Sequence, residues 1–224
     1  MHHQRSNTAT DVDRDFLPGL GKGFLTRLYD PVTRVIGVRS THRALIEQAD
    51  LRAEHRVLEI GCGTGNAALE AKTRQPAAHV HGLDPDPTML TRARRKAHRA
   101  GLAVEFTRGY AEDLPYPDAS FDRVLSAYMF HHLAAEDRLA ALREVHRVLR
   151  PGGSLHLVDF GGTRDPSDGR MARLMQRNER LRDNYDGRIP ALMTQAGLVD
   201  AGEVTHQRKA IGRVTFYRGH APRP

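Results

Sequence analysis

Three glycines at alternate positions, Gly61, Gly63 and Gly65, stand directly behind a short apolar run (Val57-Leu58, then Ile60) and directly ahead of a helical pattern with Ala67, Ala68, Leu69 and Ala71. No other stretch constrains the fold as much. Buried strand, glycine turn, helix is the order in which an α/β sheet holds a nucleotide-like ligand. Glycine has no Cβ, so the backbone can turn sharply and approach a ligand closely. N–H groups at the helix start favour a carboxylate or phosphate there. The spacing narrows the choice of ligand. A dinucleotide fingerprint needs G-x-G-x-x-G, whose third glycine allows close helix–strand packing. Here Asn66 stands at that place, and the third glycine comes one residue early, at Gly65.

From that loop onward, strands and helices alternate. The patterns predict strands at about 56–60, 80–83, 103–107, 121–127 and 154–159, and helices at about 65–74, 87–100 and 135–149, with a turn at Pro151-Gly152-Gly153. A right-handed βαβ series of this kind gives a largely parallel sheet covered on both faces. A short helix at 188–197 and two strands at about 198–206 and 210–218 come after it, the strands joined as an antiparallel hairpin. Residues 1–15 are polar and expected to be disordered. Residues 16–51 read as an N-terminal helical cap of two or three helices, and 52–224 as the main domain with a lid-like insert at about 161–190.

Composition bounds the function classes. A chain of 224 residues, 39% hydrophobic and 27% charged, fits one α/β domain or one domain with a small cap. It has no run of eighteen apolar residues and no apolar stretch behind Met1-His2-His3, so neither a transmembrane helix nor a secretory signal is expected, and a cytoplasmic location is the default. The one cysteine, Cys62, excludes an internal disulfide. The formal charge of +7 is read as arginine bias over solvated faces, although an acidic partner would also suit it. Oligomeric state is not legible.

A carboxylate at the end of the second strand, in Gly82-Leu83-Asp84-Pro85-Asp86, can accept hydrogen bonds from both ribose hydroxyls of an adenosine. The competing role for Asp84 is a helix cap, which suits Asp86 better because Pro87 comes directly after it. Pro85 and Met89 are placed to flank an adenine ring.

Four ordered segments carry a resemblance. They are Glu59-x-Gly61-x-Gly63-x-Gly65, the acidic strand end at Asp84, the stretch from Arg108 through Ala111-Glu112-Asp113-Leu114-Pro115 to Phe121-Asp122, and Leu142 through Leu149-Arg150-Pro151-Gly152-Gly153. Together they span roughly residues 56 to 160 and resemble the class I S-adenosylmethionine-dependent methyltransferases. The small-molecule members come nearest: quinone-biosynthesis C-methyltransferases and phospholipid or small-amine N-methyltransferases. The resemblance implies a Rossmann-like seven-stranded sheet in the order 3-2-1-4-5-7-6 with strand 7 antiparallel. It implies S-adenosyl-L-methionine as cofactor and S-adenosyl-L-homocysteine as product. Glu59, Gly61, Cys62, Gly63, Gly65 and Asp84 would hold that cofactor. So would Tyr110, Ala111 and Glu112, with Ser126 and Tyr128 at the end of strand 4. One position departs from the family pattern: Tyr110 stands where an aspartate usually contacts the adenine amino group.

Methyl transfer from a sulfonium is an in-line displacement, for which a protein supplies alignment, water exclusion and, for some acceptors, a base. Candidates for that work lie just past strand 4. Tyr128 and Phe130 can offer ring faces to a sulfonium. His131 and His132, expected to point in different directions, can act as a base near neutral pH. Tyr29 in the cap resembles the tyrosine of a Tyr–His pair in phosphoethanolamine N-methyltransferases, and its competing role is a core aromatic. Asp159 is read as a substrate contact or a loop cap. No metal site is expected. The acceptor is expected to be small and apolar or aromatic, with its reacting O, N or C atom unresolved. Phe24, Leu25, Leu28, Ile36, Leu174, Met175, Leu192 and Met193 are the apolar residues expected around it. Two other functions compete: a nucleic-acid methyltransferase, supported only by charge and lacking an N-P-P-Y or D-P-P-F element after strand 4, and an NAD-dependent oxidoreductase or non-catalytic nucleotide-binding protein, disfavoured by Asn66.

Overall fold

The computed structural model describes residues 38–163, 181, 184–209 and 212–224. Helix α1 (Val38–Ala49) opens the described chain. Its buried residues, Thr41, His42, Leu45, Ile46 and Ala49, recur three and four apart and make one stripe against the sheet. Strand β1 (Arg56–Ile60) then leads through the glycine loop into α2 (Asn66–Arg74). Strand β2 (His79–Asp84) and helix α3 (Pro87–Ala100) repeat the unit, and β3 (Val104–Arg108) comes next.

Helix α3 begins and ends where its sequence says it should. Asp86 Oδ1 caps the first turn, accepting from the N–H groups of Thr88 at 2.7 Å and Met89 at 3.4 Å, with Pro87 at the first helical position. Gly101 ends the helix in the left-handed region at φ 64°, where a side chain would be strained.

Strand β4 (Phe121–Ala127) runs into a single 3-10 turn (Phe130–His132) and helix α4 (Ala135–Val148). Helix and strand then abut. Strand β5 (Leu149–Phe160) starts at the residue directly after α4, so Pro151-Gly152-Gly153 is no separate turn. Leu149 pairs with Phe121 and Ser154 with Arg123, which leaves the proline and glycines as an irregularity within the strand. Gly152 has φ 76° there. Helix α5 (Arg188–Gln195) precedes the hairpin of β6 (Val199–Lys209) and β7 (Gly212–His220).

The seven strands lie in the order β3-β2-β1-β4-β5-β7-β6. Neighbours are parallel from β3 to β5, whereas β7 is antiparallel to both β5 and β6. One face buries Leu58, Ile60, Val124, Leu155, Leu157 and Tyr217 with α4 and α5; the other buries Val57, Val80, Leu125, Val158 and Phe216 with α1, α2 and α3. Among the described residues no helix is long and apolar enough to cross a membrane. Strand order reverses between β1 and β4, so their carboxyl ends bound the crevice in which a ligand of such a sheet sits.

Candidate functional site

The glycine loop leaves β1 at that reversal. Gly61, Gly63 and Gly65 have φ of 64°, 51° and 77°, a region L side chains rarely adopt. The three glycines answer to different neighbours. A Cβ on Gly61 would overlap the Met129 side chain, and one on Gly65 would press on Phe106 and Ala93 at 3.0–3.1 Å. Around Gly63 nothing lies within 4 Å of that position, so this part of the loop faces open space. Cys62 is buried, with Sγ 3.0 Å from where a Cβ on Gly82 would lie. Burial, with Glu59 and Asp84 nearby, pushes its thiol well above the ordinary cysteine range, which leaves it a packing residue.

Two side chains hold the loop from beneath and from the side. Glu59 is buried, and its Oε2 accepts from the Ala68 N–H at 2.7 Å in the first turn of α2. One of the donors that would attract an anionic ligand is thereby met by the chain itself. Burial pushes the Glu59 carboxyl up to about 8, against the opposing pull of that N–H. Lys96 of α3 reaches across to donate to Thr64 Oγ1 at 2.7 Å and Asn66 Oδ1 at 2.9 Å, flanking Gly65. In the sequence Lys96 looks like one more charge of a basic helix. Its role depends on how α3 lies against α2.

Asp84 closes the far side. Its Oδ2 accepts from the Gly63 N–H at 2.8 Å and its Oδ1 from the Asp86 N–H at 2.9 Å. Burial raises its pKa, opposed by those two donors. A carboxylate has about four acceptor positions. Two serve the protein's own loops, and the others remain for a pair of hydroxyls at the rim of the open space beside Gly63. This arrangement fits the ribose of an adenosine. Pro85 is half-buried and Met89 buried next to it.

The third wall is the segment after β3. Tyr110 is half-buried, Ala111 buried and Glu112 half-buried, with the Tyr110 carbonyl accepting from the Asp113 N–H at 3.3 Å. Helix α4 clasps residues 114–118 beyond it. Glu144 accepts from the Leu114 N–H at 2.8 Å, and Arg147 donates to the carbonyls of Leu114 and Tyr116 and to Asp118. Glu144 and Arg147 also pair with each other at 2.7 Å, which holds the Glu144 carboxyl below its usual range. The motif before Pro151-Gly152-Gly153 is therefore structural, and it fixes the loop that carries Tyr110 to Glu112.

The fourth wall is the turn after β4. Ser126 is fully buried, and its hydroxyl finds no hydrogen-bond partner in the protein. Tyr128 has φ 55°, a left-handed conformation in a residue that is not glycine. Its N–H reaches the Val158 carbonyl at 2.9 Å, its ring lies 5.1 Å from that of Phe160, and its hydroxyl donates to Thr41 Oγ1 at 3.0 Å. The 3-10 turn then brings His131 onto Asp159. Nδ1 lies 2.6 Å from Oδ1, and the His131 N–H donates to Oδ2 at 3.0 Å. A third donor, the Phe160 N–H, reaches Oδ1 at 2.7 Å. An ionised carboxylate only accepts, so in a bond to ionised Asp159 it is Nδ1 that carries the proton, and in the neutral imidazole the lone pair then lies on Nε2.

The two histidines do not point apart as expected. Their ring centroids are 4.1 Å apart with the planes tilted by 38°, so the two rings lie against each other, and the His131 imidazole reaches Asp159. Asp159 thus caps the loop, fixing both the turn and the imidazole. Met193 belongs to the core under α5, fully buried, and Leu192 packs against the same cluster. Tyr29, Phe24, Leu25, Leu28, Ile36, Leu174 and Met175 lie outside the described residues, as do residues 1–15 and most of the cap and insert. Among the described residues no group of three or more His, Cys, Asp or Glu is arranged to hold a metal ion.

Residues 57–153 match the family described as a methyltransferase domain. The chain is 42% identical over 135 residues to a demethylmenaquinone methyltransferase of Deinococcus radiodurans, covering 59% of this chain and 55% of that one. It is 34% identical over 194 residues to methyltransferase GfsG of Streptomyces halstedii, covering 82% of this chain and 66% of the relative. The matched part is thus little more than half to about two thirds of these relatives' length. In structure the chain is similar to YcgJ of Bacillus subtilis, with a TM-score of 0.64 at 24% identity, covering 83% of this chain and 99% of YcgJ.

Proposed function

We propose that this chain, whose residues 57–153 match a methyltransferase domain and whose sheet has the strand order expected of the class I S-adenosylmethionine-dependent methyltransferases, transfers a methyl group from S-adenosyl-L-methionine to a small apolar or aromatic acceptor. The observation that carries this reading is the pairing of Asp84 with Gly63 beside open space, at the point where strand order reverses. The cofactor supplies an activated methyl group on a sulfonium; the chain's task is to hold and align it. Glu59 and Lys96 keep the glycine loop in shape, and Gly61, Cys62, Gly63 and Gly65 let it approach the methionine end closely. Asp84 takes the ribose hydroxyls. Pro85, Met89, Tyr110, Ala111 and Glu112 line the adenine, with Ala111 offering its N–H, and Ser126 and Tyr128 bound the methionine end. Alignment to a reactive geometry contributes about 7–11 kcal/mol to such reactions.

His131 is the base for an acceptor that loses a proton. Its Nε2 lone pair receives the proton while Asp159 holds Nδ1–H and stabilises the imidazolium that forms. Replacement of a base of this kind typically costs about 10²–10⁴-fold in rate. The small-molecule reading is further supported by the demethylmenaquinone methyltransferase among the relatives.

Calorimetry with S-adenosylhomocysteine and NAD tests the cofactor. S-adenosylhomocysteine should bind and NAD should not, and Asp84→Ala should weaken that binding at least tenfold without unfolding the protein. NAD binding alone, or an Asp84→Ala protein with unchanged S-adenosylhomocysteine affinity, would refute the proposal.

A further inference from the structure

The residue that turns the chain after β4 is held in place by a helix far away in sequence. Tyr128 adopts φ 55° without being glycine. Such a conformation persists only where the surroundings over-determine it. Its restraints here include its N–H on the Val158 carbonyl, its ring on Phe160 and its hydroxyl on Thr41 Oγ1 at 3.0 Å. The last comes from α1, whose His42 ring also lies 6.3 Å from the Tyr128 ring. Thr41 is fully buried on α1, where valine would fill the same volume, and its hydroxyl also reaches Gln207 Oε1 of β6 at 3.4 Å.

What Tyr128 controls lies three residues on. The ring of Phe160 touches Tyr128 on one side, at 5.1 Å, and His131 on the other, at 5.5 Å. The Phe160 N–H donates to the Asp159 oxygen that also takes His131 Nδ1. Position therefore passes from α1 through Tyr128 and Phe160 to the imidazole. We propose that Thr41 is a positioning residue, whose hydroxyl bond to Tyr128 sets the orientation of His131 on Asp159. The inference rests on His131 as the base of the reaction. Movement of α1 would then reach the base without any contact between the two.

Long-range ¹H–¹⁵N spectra of the ¹⁵N-labelled full chain test this without an acceptor, because they report which ring nitrogen carries the proton. The chain has thirteen histidines, and loss of one signal in His131→Gln identifies the right one. The wild type should show the Nδ1–H tautomer, and Asp159→Asn should abolish that preference. Thr41→Val should shift His131 to a mixture of tautomers, while Thr41→Ser should preserve the wild-type spectrum. Should Thr41→Val fail to fold, Tyr128→Phe removes the same bond from the other side and should give the same shift. A His131 spectrum unchanged in the folded variant, even with a lowered melting temperature, overturns the inference. The base reading fails separately, if His131→Gln methylates a panel of hydroquinones, phenols and amines as fast as the wild type.

Discussion

At the scale of single residues, the glycine loop divides its labour. Gly63 is the glycine that faces open space, whereas Gly61 and Gly65 are glycine because Met129, Phe106 and Ala93 stand against them. This leads to a prediction. Gly61→Ala would meet a left-handed backbone and the Met129 side chain together, and should destabilise the fold by about 1–3 kcal/mol. Truncating the obstacle in Gly61→Ala/Met129→Ala should recover part of that loss. Chemical denaturation of the three proteins checks both statements, and equal stability of Gly61→Ala and wild type would remove this account of the loop. The residues that are silent in the sequence at this scale share a cause. Lys96, Glu144 and Arg147 act on segments about thirty positions away, and Thr41 acts across 87. Periodicity and local motif spacing carry no information about such partners. The strand end puts Asp159 in the cleft, but its grip on His131 depends on the parallel pairing of β4 and β5, which sets Ala127 beside Val158.

At the scale of elements, the legible features have local chemistry behind them. Helix α3 can be bounded from sequence because Asp86-Pro87 starts it and Gly101 stops it. Strand β4 can be bounded as an apolar run between turn residues. The start of β5 cannot, because a Pro-Gly-Gly sequence reads as a turn, whereas pairing of Leu149 with Phe121 carries the strand through it. The packing of α1 on the sheet buries two histidines, and that has a measurable cost in acid. Burial holds His42 down at about 4 and His156 at about 3, the latter aided by Arg123 and Arg218. In the unfolded chain both protonate near 6.5. Their contribution to stability is thus complete above pH 6.5 and is lost as pH falls through the window from 6.5 to about 3. Each contributes a slope of up to about 1.4 kcal/mol per pH unit. Urea unfolding at pH 7 and pH 5 should show the loss, and His156→Gln should have a shallower dependence between them. Glu59, whose carboxyl is pushed up, acts in the opposite sense over the same range, so the comparison with the variant is decisive: a His156→Gln dependence equal to that of the wild type would contradict the burial of His156.

At the scale of the whole molecule, both halves of the site hang on one crevice. The proposed cofactor half comes from β1, β2 and the segment after β3, while the proposed base, His131, comes from the loop after β4 and is held by Asp159 of β5. A ligand that spans the crevice should stabilise the fold as a unit. S-adenosylhomocysteine at a hundred times its Kd should add about 2.7 kcal/mol. For a domain of this size that raises Tm by roughly 5–11 °C, at about 2–4 °C per kcal/mol. Scanning calorimetry should show one transition moving intact. Two transitions, only one of them shifted, would mean that the two sides of the sheet unfold separately.

The place of β7 has a consequence for how the chain reaches this state. Strand β7 sits between β5 and β6 although it follows both in the sequence. Strands β1 to β5 can pair with one another as they leave the ribosome. The outer edge of β5, from Ser154 to Phe160, has to wait for Val214 to His220. At roughly 5–20 residues per second that is on the order of several seconds. During that time an apolar strand, Leu155 to Val158, stands with an open ladder edge. The growing chain is therefore exposed to aggregation between the making of β5 and that of β7, and it is the insertion of β7 that joins β6 to the sheet.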